Sequence, residues 1–329
     1  MADPRFSIII PVYNGSDFLR EAIDSSLSQT YPHFEVIVIN DGSEDNGKTE
    51  NIALSYGKKI RYFSKPNGGV ASALNYAIER MKGEYFVWLS HDDMFDEARL
   101  EEDAKFLDNN DEIFITFCKT KTIDNNNVIT GIQETKIDEI KNPYQCLKLG
   151  GINMCAMTIR KSCFQKAGLF NEKNKTMQDV EMNLKLARYY IFYNNPNTFT
   201  LKRVHDGMGT NMLKDRHIVD QKKFLELLKN DFTIMDFFPD LDNSNKSEFY
   251  RACISVAYFF AMWESYESAD HYFKKANSVN GVFFSFPSLI DKIGSRFYFE
   301  ILPSSIYSKL IRTILNIIFN YRDMQLNRI

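Results

Sequence analysis

The sequence predicts an α/β fold, a sheet flanked by helices, followed by a helical C-terminal region. Three observations carry this. Within the first 90 residues four apolar, β-rich runs alternate with three helical patterns, which implies parallel strands with helices on their faces. Polar and acidic residues stand where those runs end, at Tyr13-Asn14-Gly15, Asn40-Asp41-Gly42 and Asp92-Asp93. After about Asp215 helical periodicity takes over and strand-like alternation stops. Two regions are therefore expected, 1–214 and 215–329.

The elements follow in order. Phe6 to Val12 reads as a buried first strand, and Asp17 to Ser28 as a helix whose Phe18, Leu19, Ala22, Ile23 and Leu27 share one face. Thr30-Tyr31-Pro32 stops it, and Phe34 to Ile39 is a second buried strand. A short helix over Asn51 to Tyr56 and a strand over Ile60 to Ser64 come next. Asn67-Gly68-Gly69 then opens a helix from Val70 to Met81, and glycines before a helix let a backbone approach a ligand closely. Tyr85 to Leu89 is the fourth strand, running straight into Asp92 and Asp93. A helix over Glu97 to Leu107 leads to a strand over Ile113 to Lys121, and the polar turn at Asp124 to Asn127 makes the following pairing antiparallel. A helix over Pro143 to Leu149, a strand over Ile152 to Arg160, and helices over Lys161 to Ala167 and Asp179 to Arg188 follow. Thr198 to Val204 is the last strand, and His217 to Leu228, Lys246 to Ala261 and Tyr266 to Ala276 are helical.

Composition narrows the function classes. With 40 basic and 43 acidic residues the net charge is −3, which gives no global attraction to nucleic acid or to an anionic membrane. The five cysteines are widely spaced and form no CxxC, so neither a zinc site nor a disulfide framework is suggested. The N-terminus has neither the basic nor the apolar region of a signal peptide, no run reaches membrane-span length, and a cytoplasmic protein is expected.

The strand ends carry the chemistry. Ligands of open α/β sheets bind outside the carboxyl ends of the strands, so Tyr13, Asp41 and Asp92 should converge on one rim. Asp92 and Asp93 are adjacent carboxylates that repel unless a cation or hydrogen-bond donor stands nearby, and hard divalent ions, Mg²⁺ or Mn²⁺, take oxygen ligands and share themselves with phosphates. The plainer alternative is a turn and a helix cap.

Six motifs in order resemble those of the family-2 inverting glycosyltransferases, which have the GT-A fold. They are Ile10-Pro11-Val12-Tyr13-Asn14, Gln29-Thr30-Tyr31-Pro32, Asn40-Asp41-Gly42-Ser43, Asn67-Gly68-Gly69, Leu89-Ser90-His91-Asp92-Asp93, and Gln178-Asp179 with its helix. The resemblance covers roughly residues 5 to 210. It implies a GT-A, Rossmann-like mixed sheet and a nucleotide-sugar site formed by Pro11, Tyr13, Asp41, Asn67, Gly68, Asn75, His91 and Asp92. In it Tyr13 would stack on the base and Asp41 would accept from a uracil or thymine imide. Asp92, Asp93 and His205 would hold the divalent metal, with imidazole favouring Mn²⁺ over Mg²⁺. Asp179 would be the catalytic base, although an aspartate at a helix start is also a common cap. Two positions depart from the family pattern. Ser90 stands where an aspartate is frequent, and Leu74 where an arginine is frequent, with Lys65 or Arg61 as candidate replacements.

The expected activity is transfer from a nucleotide-sugar, UDP-linked, to a glycan or lipid-linked acceptor in bacterial surface polysaccharide synthesis. Two alternatives stay open: a non-catalytic sugar-nucleotide or glycan-binding module, and a nucleotidyltransferase. The second would need a basic glycine-rich loop where Tyr13-Asn14-Gly15-Ser16 stands. Ile306 to Arg322 forms an amphipathic helical pattern with a basic polar face, suited to peripheral contact with the inner face of a membrane, to its own protein or to a second subunit. The oligomeric state stays open.

Overall fold

The computed structural model describes residues 4–280, apart from 111, 209–212 and 264. The amphipathic stretch Ile306 to Arg322 lies outside the described residues. Two compact units are present, one ending at Gln221 and one starting at Lys222.

The first unit is built on a sheet whose parallel part comprises β1 (Phe6–Val12), β2 (Phe34–Asn40), β3 (Arg61–Ser64) and β4 (Tyr85–Trp88), in the order β3-β2-β1-β4. Every residue of β1 is buried, because helices cover both of its faces. On one face Phe6, Ile8, Ile10 and Val12 pack with Leu19, Ala22 and Ile23 of α1 (Leu19–Leu27) and Leu100 and Ala104 of α4 (Arg99–Asp108). Helix α3 (Val70–Arg80) packs on β1 and β2, and α2 (Lys48–Leu54) continues β2 towards β3.

Beyond β4 the sheet turns mixed. It continues through β9 (Met157–Arg160), β6 (Ile115–Ile123) and β10 (Phe192–Arg203) to the short β5 (Met94–Phe95). Strand β9 is antiparallel to both β4 and β6, while β10 runs parallel to β6. Strand β7 (Ile129–Gln133) pairs antiparallel with β6 across the Asp124–Asn127 turn, where Asn127 takes a left-handed φ of 65°. A second short strand, β8 (Glu139–Ile140), pairs with β10. The remaining helices of this part are α5 (Pro143–Lys148), α6 (Cys163–Ala167) and α7 (Gln178–Ala187).

Two expected strands differ from the observed ones. The run Ile152 to Arg160 is not one strand: Met154–Ala156 forms a 3₁₀ turn, begun by the Asn153 side chain accepting from the Cys155 N–H, and only Met157–Arg160 is extended. The last strand starts at Phe192 rather than Thr198. Its register against β6 jumps between Asn194 and Phe199, around Pro196, which cannot donate to a ladder.

The helix Lys214–Asp231 spans the division between the units. The second unit contains helices Ile234–Phe237, Lys246–Met262 and Tyr266–Asn280. Thr233 and Asp236 cap the first of these reciprocally. Phe260 stacks on Tyr272 with ring centroids 5.4 Å apart, and the Tyr272 hydroxyl donates to the Phe232 carbonyl. Among the described residues no helix is long and apolar enough to cross a membrane.

Candidate active site

The carboxyl ends of β1, β2 and β4 open onto a cavity of about 950 Å³, within the range of small-molecule sites. Its walls include Pro11, Tyr13, Asp41, Asn67, His91, Asp92, Asp93 and Asp179.

The loop after β1 is tied to the loop after β2. The Asp41 N–H donates to the Val12 carbonyl, Asn14 N–H to the Ser43 hydroxyl, and Glu44 N–H to the Asn14 side chain. Gly42 has φ +71°, and a Cβ there would lie 2.7 Å from the Asn67 nitrogen, so only glycine admits this close approach. Asp41 is 3 % exposed, and its carboxylate is well provided with donors: the Lys65 ammonium at 2.5 Å, Gly69 N–H at 2.7 Å and Gly68 N–H at 3.1 Å. The residues before α3 thus hold the acid at the end of β2. Tyr13 is 44 % exposed, an aromatic face free to stack.

After β4 the chain turns through Ser90 to Asp93. Here Arg203, fully buried at the end of β10, acts as a clamp. Its backbone N–H donates to Asp93 Oδ1 at 2.9 Å, and its guanidinium donates to the Asp92 carbonyl, the Asp124 carbonyl and the Glu21 carboxylate. Asp93, expected as a metal ligand, is instead turned towards the Arg203 backbone, and burial beside Asp92 pushes its carboxyl up to about 7. Burial lowers the His91 imidazole and favours its neutral form.

Asp92 Oδ2 and His205 Nε2 lie 3.0 Å apart, and the Phe18 ring meets the His205 ring edge-on. Among the described residues no three His, Cys, Asp or Glu side chains gather as metal ligands. The Asp92–His205 pair is one that could hold a divalent cation drawing its remaining ligands from water and a diphosphate, the imidazole favouring Mn²⁺. Ser90 supplies no carboxylate; its hydroxyl sits 3.4 Å from the Cys155 sulfur.

Asp179 reaches the same cavity from the first turn of α7. Met177, not Asp179, is the N-cap, and it makes no side-chain cap; Asp179 accepts the adjacent Val180 N–H at 2.8 Å. Burial raises the Asp179 carboxyl above the ordinary aspartate range, opposed by that hydrogen bond and by the nearby Lys202 and His217. A carboxylate with few donors and a raised proton affinity can take a proton from a hydroxyl.

Asn75 is not part of the cavity wall. Its amide N–H donates to the Phe170 carbonyl and to Glu172, and its oxygen accepts the Phe170 N–H, which pins the loop before α7 onto α3. Neighbouring Leu74 is wholly buried in the core. Arg61 is committed to Glu35 and the Arg80 carbonyl, so of the two candidate replacements only Lys65 stands at the site. Lys175, Lys202, Arg216 and His217 also line the cavity. No strand-end pattern in the sequence marks Lys202 as a site residue.

The model of the family described as glycosyl transferase family 2 matches residues 7–168. An uncharacterized glycosyltransferase of Rickettsia typhi is 44 % identical over 215 residues, which are 63 % of this chain and 66 % of that protein. One from Rickettsia felis is 42 % identical over 223 residues, 65 % of this chain but 36 % of the relative. The hyaluronan synthase of Pasteurella multocida is 33 % identical over 275 residues, covering 75 % of this chain and 26 % of the synthase. The chain thus spans about a third to two thirds of the length of the first of these curated relatives. Among solved structures, S. aureus TarS 1-349 in complex with UDP-GlcNAc superposes with TM-score 0.56 at 16 % identity, over 85 % of this chain and 93 % of TarS. Mannosyltransferase PcManGT from Pyrobaculum calidifontis, in complex with GDP-Man and Mn²⁺, gives TM-score 0.52 at 15 % identity, over 96 % of this chain and 85 % of PcManGT. The expected GT-A architecture, a curled mixed sheet flanked by helices with a helical C-terminal region, is the one observed.

Proposed function

The chain belongs to glycosyl transferase family 2, and we propose that it moves a sugar from a uridine-linked nucleotide donor to a hydroxyl of a glycan or lipid-linked acceptor, with inversion at the anomeric carbon. The observation that carries this reading is that Asp41, Asp92 and Asp179, from three separate elements, line one cavity. Tyr13 stacks on the base, and Asp41, aligned by Lys65 and Gly69, accepts from its imide. Pro11, Asn67, His91 and Asp92 complete the donor side. Asp92 and His205 would hold a divalent cation, which would neutralise charge on the departing diphosphate. Asp179 takes the proton from the acceptor hydroxyl as its oxygen bonds to the anomeric carbon and the bond to the phosphate oxygen breaks. Opposite-face attack inverts the centre.

The name of the hyaluronan synthase relative supports a glycan acceptor and a place in bacterial surface polysaccharide synthesis. The UDP-GlcNAc and the GDP-Man and Mn²⁺ in the similar structures support a nucleotide-sugar donor and a divalent metal. The test is a panel of UDP-, GDP- and dTDP-sugars with varied acceptors, with Mn²⁺ and then with chelator. Metal-stimulated release of nucleoside diphosphate and a glycosylated product of inverted configuration is expected. Release of pyrophosphate, or binding without turnover on every acceptor, would overturn the proposal.

A further inference from the structure

Resting on the donor reading above, we propose that Lys202 is a diphosphate ligand, its ammonium meeting the anionic oxygens of the nucleotide between the Asp92–Asp93 turn and Asp179. Lys202 sits in β10, paired with Thr122 of β6. It immediately precedes Arg203, the residue that clamps Asp92 and Asp93. Its position is therefore set by the same strand that builds the wall of the site.

The other cations of the site are committed. Lys65 binds Asp41, Lys175 donates to the Gly68 carbonyl, Arg203 binds Glu21 and Arg216 binds Asp220. Lys202 is half-buried in the cavity wall and, among the described residues, its side chain makes no hydrogen bond or ion pair. A partly desolvated ammonium with acids nearby but none at ion-pair distance is poorly compensated, and an anion seated against it relieves that cost. Lys202 also acts electrostatically on both Asp93 and Asp179, which places it within range of the donor side and of the base together. That is where a diphosphate would lie if its cation rests on Asp92 and His205 while the anomeric carbon faces Asp179.

The chemistry favours this anion. When the glycosidic bond breaks, its electron pair stays on the terminal phosphate oxygen, which gains negative charge. A fixed ammonium there binds the departing group more tightly than the donor, and so assists the step. The core placement of Leu74 and the commitment of Arg61 leave neither of those positions to supply a cation here.

The experiment is calorimetric titration of the full chain with UDP and with uridine, in EDTA and again in Mn²⁺, for wild type, Lys202→Met and Lys202→Arg. In EDTA, Lys202→Met should bind UDP about tenfold more weakly or worse, as for loss of one charge-assisted bond. Uridine affinity should be unchanged, and Lys202→Arg should restore UDP binding to within a few-fold. Unchanged UDP affinity in Lys202→Met would overturn the assignment, and so would an equal loss for uridine. A shift confined to the pH profile of transfer, with UDP affinity intact, would also overturn it and make Lys202 a positioning residue for Asp179. A wild type that binds none of UDP, GDP or dTDP would instead break the donor reading, and this proposal with it.

Discussion

Two aspartates face the same cavity from different parts of the first unit, and their surroundings are opposite. Asp41, at the end of β2, is met by an ammonium and two backbone N–H groups. Asp179, in the first turn of α7, accepts from the Val180 N–H, and burial raises its proton affinity. A carboxylate given many donors is held in one orientation, which suits reading a base. One given few is a better proton acceptor, which suits catalysis. The side chain is the same, and its neighbours decide the task.

The sharpest break of this comparison is Asp179→Asn. Transfer should fall by roughly 10²- to 10⁴-fold, the usual worth of a general base, while nucleotide binding survives. Normal turnover in that variant, measured as nucleoside diphosphate release, would remove the base assignment.

Stability should respond the other way round. Asp41→Ala leaves the Lys65 ammonium and the Gly69 N–H without their acceptor and should cost about 3–5 kcal/mol in a denaturant titration. Asp179→Ala gives up one short-range hydrogen bond and should cost no more than about 1 kcal/mol. Equal losses would mean that the two environments do not differ as the hydrogen bonds imply.

The comparison extends to the adjacent pair Asp92 and Asp93. Asp92→Ala should abolish stimulation of transfer by Mn²⁺, whereas Asp93→Asn should retain it, because Asp93 faces the Arg203 backbone rather than His205. Metal titration of the two variants separates the roles, and loss of stimulation in both would restore Asp93 to the metal site.

The smallest effect is on the pH profile. Asp179 must be ionised to accept a proton and burial raises its pKa, so transfer should climb with pH along an acid limb above the ordinary aspartate range. An acid limb at or below that range would place the base elsewhere or Asp179 in a wetter setting.

Much of this architecture was legible in the chain. The apolar runs of β1, β2 and β4 are buried on both faces, so composition alone marks them, and the polar residues that end them mark the rim. The second half was harder to read. Pro196 and the bulge hide the first part of β10, and a side-chain hydrogen bond at Asn153 converts half of an apparent strand into a 3₁₀ turn. Asn75 follows the motif pattern at the sequence level, yet its amide is spent on Phe170 and Glu172, partners some 95 residues away.

The sequence by itself determined the alternation of strands and helices and the rim on which Tyr13, Asp41 and Asp92 gather, because periodicity and strand-end chemistry are local properties, while the candidacy of Asp179 came from the family resemblance of the motifs taken together. Only the tertiary structure decided that Arg203 clamps the two neighbouring acids, that Asp93 meets the Arg203 backbone while Asp92 meets His205, and that the Lys202 ammonium lines the cavity with no hydrogen-bond partner among the described residues. Those outcomes depend on β10 lying beside β6 and β5, a pairing between distant segments that no local pattern encodes.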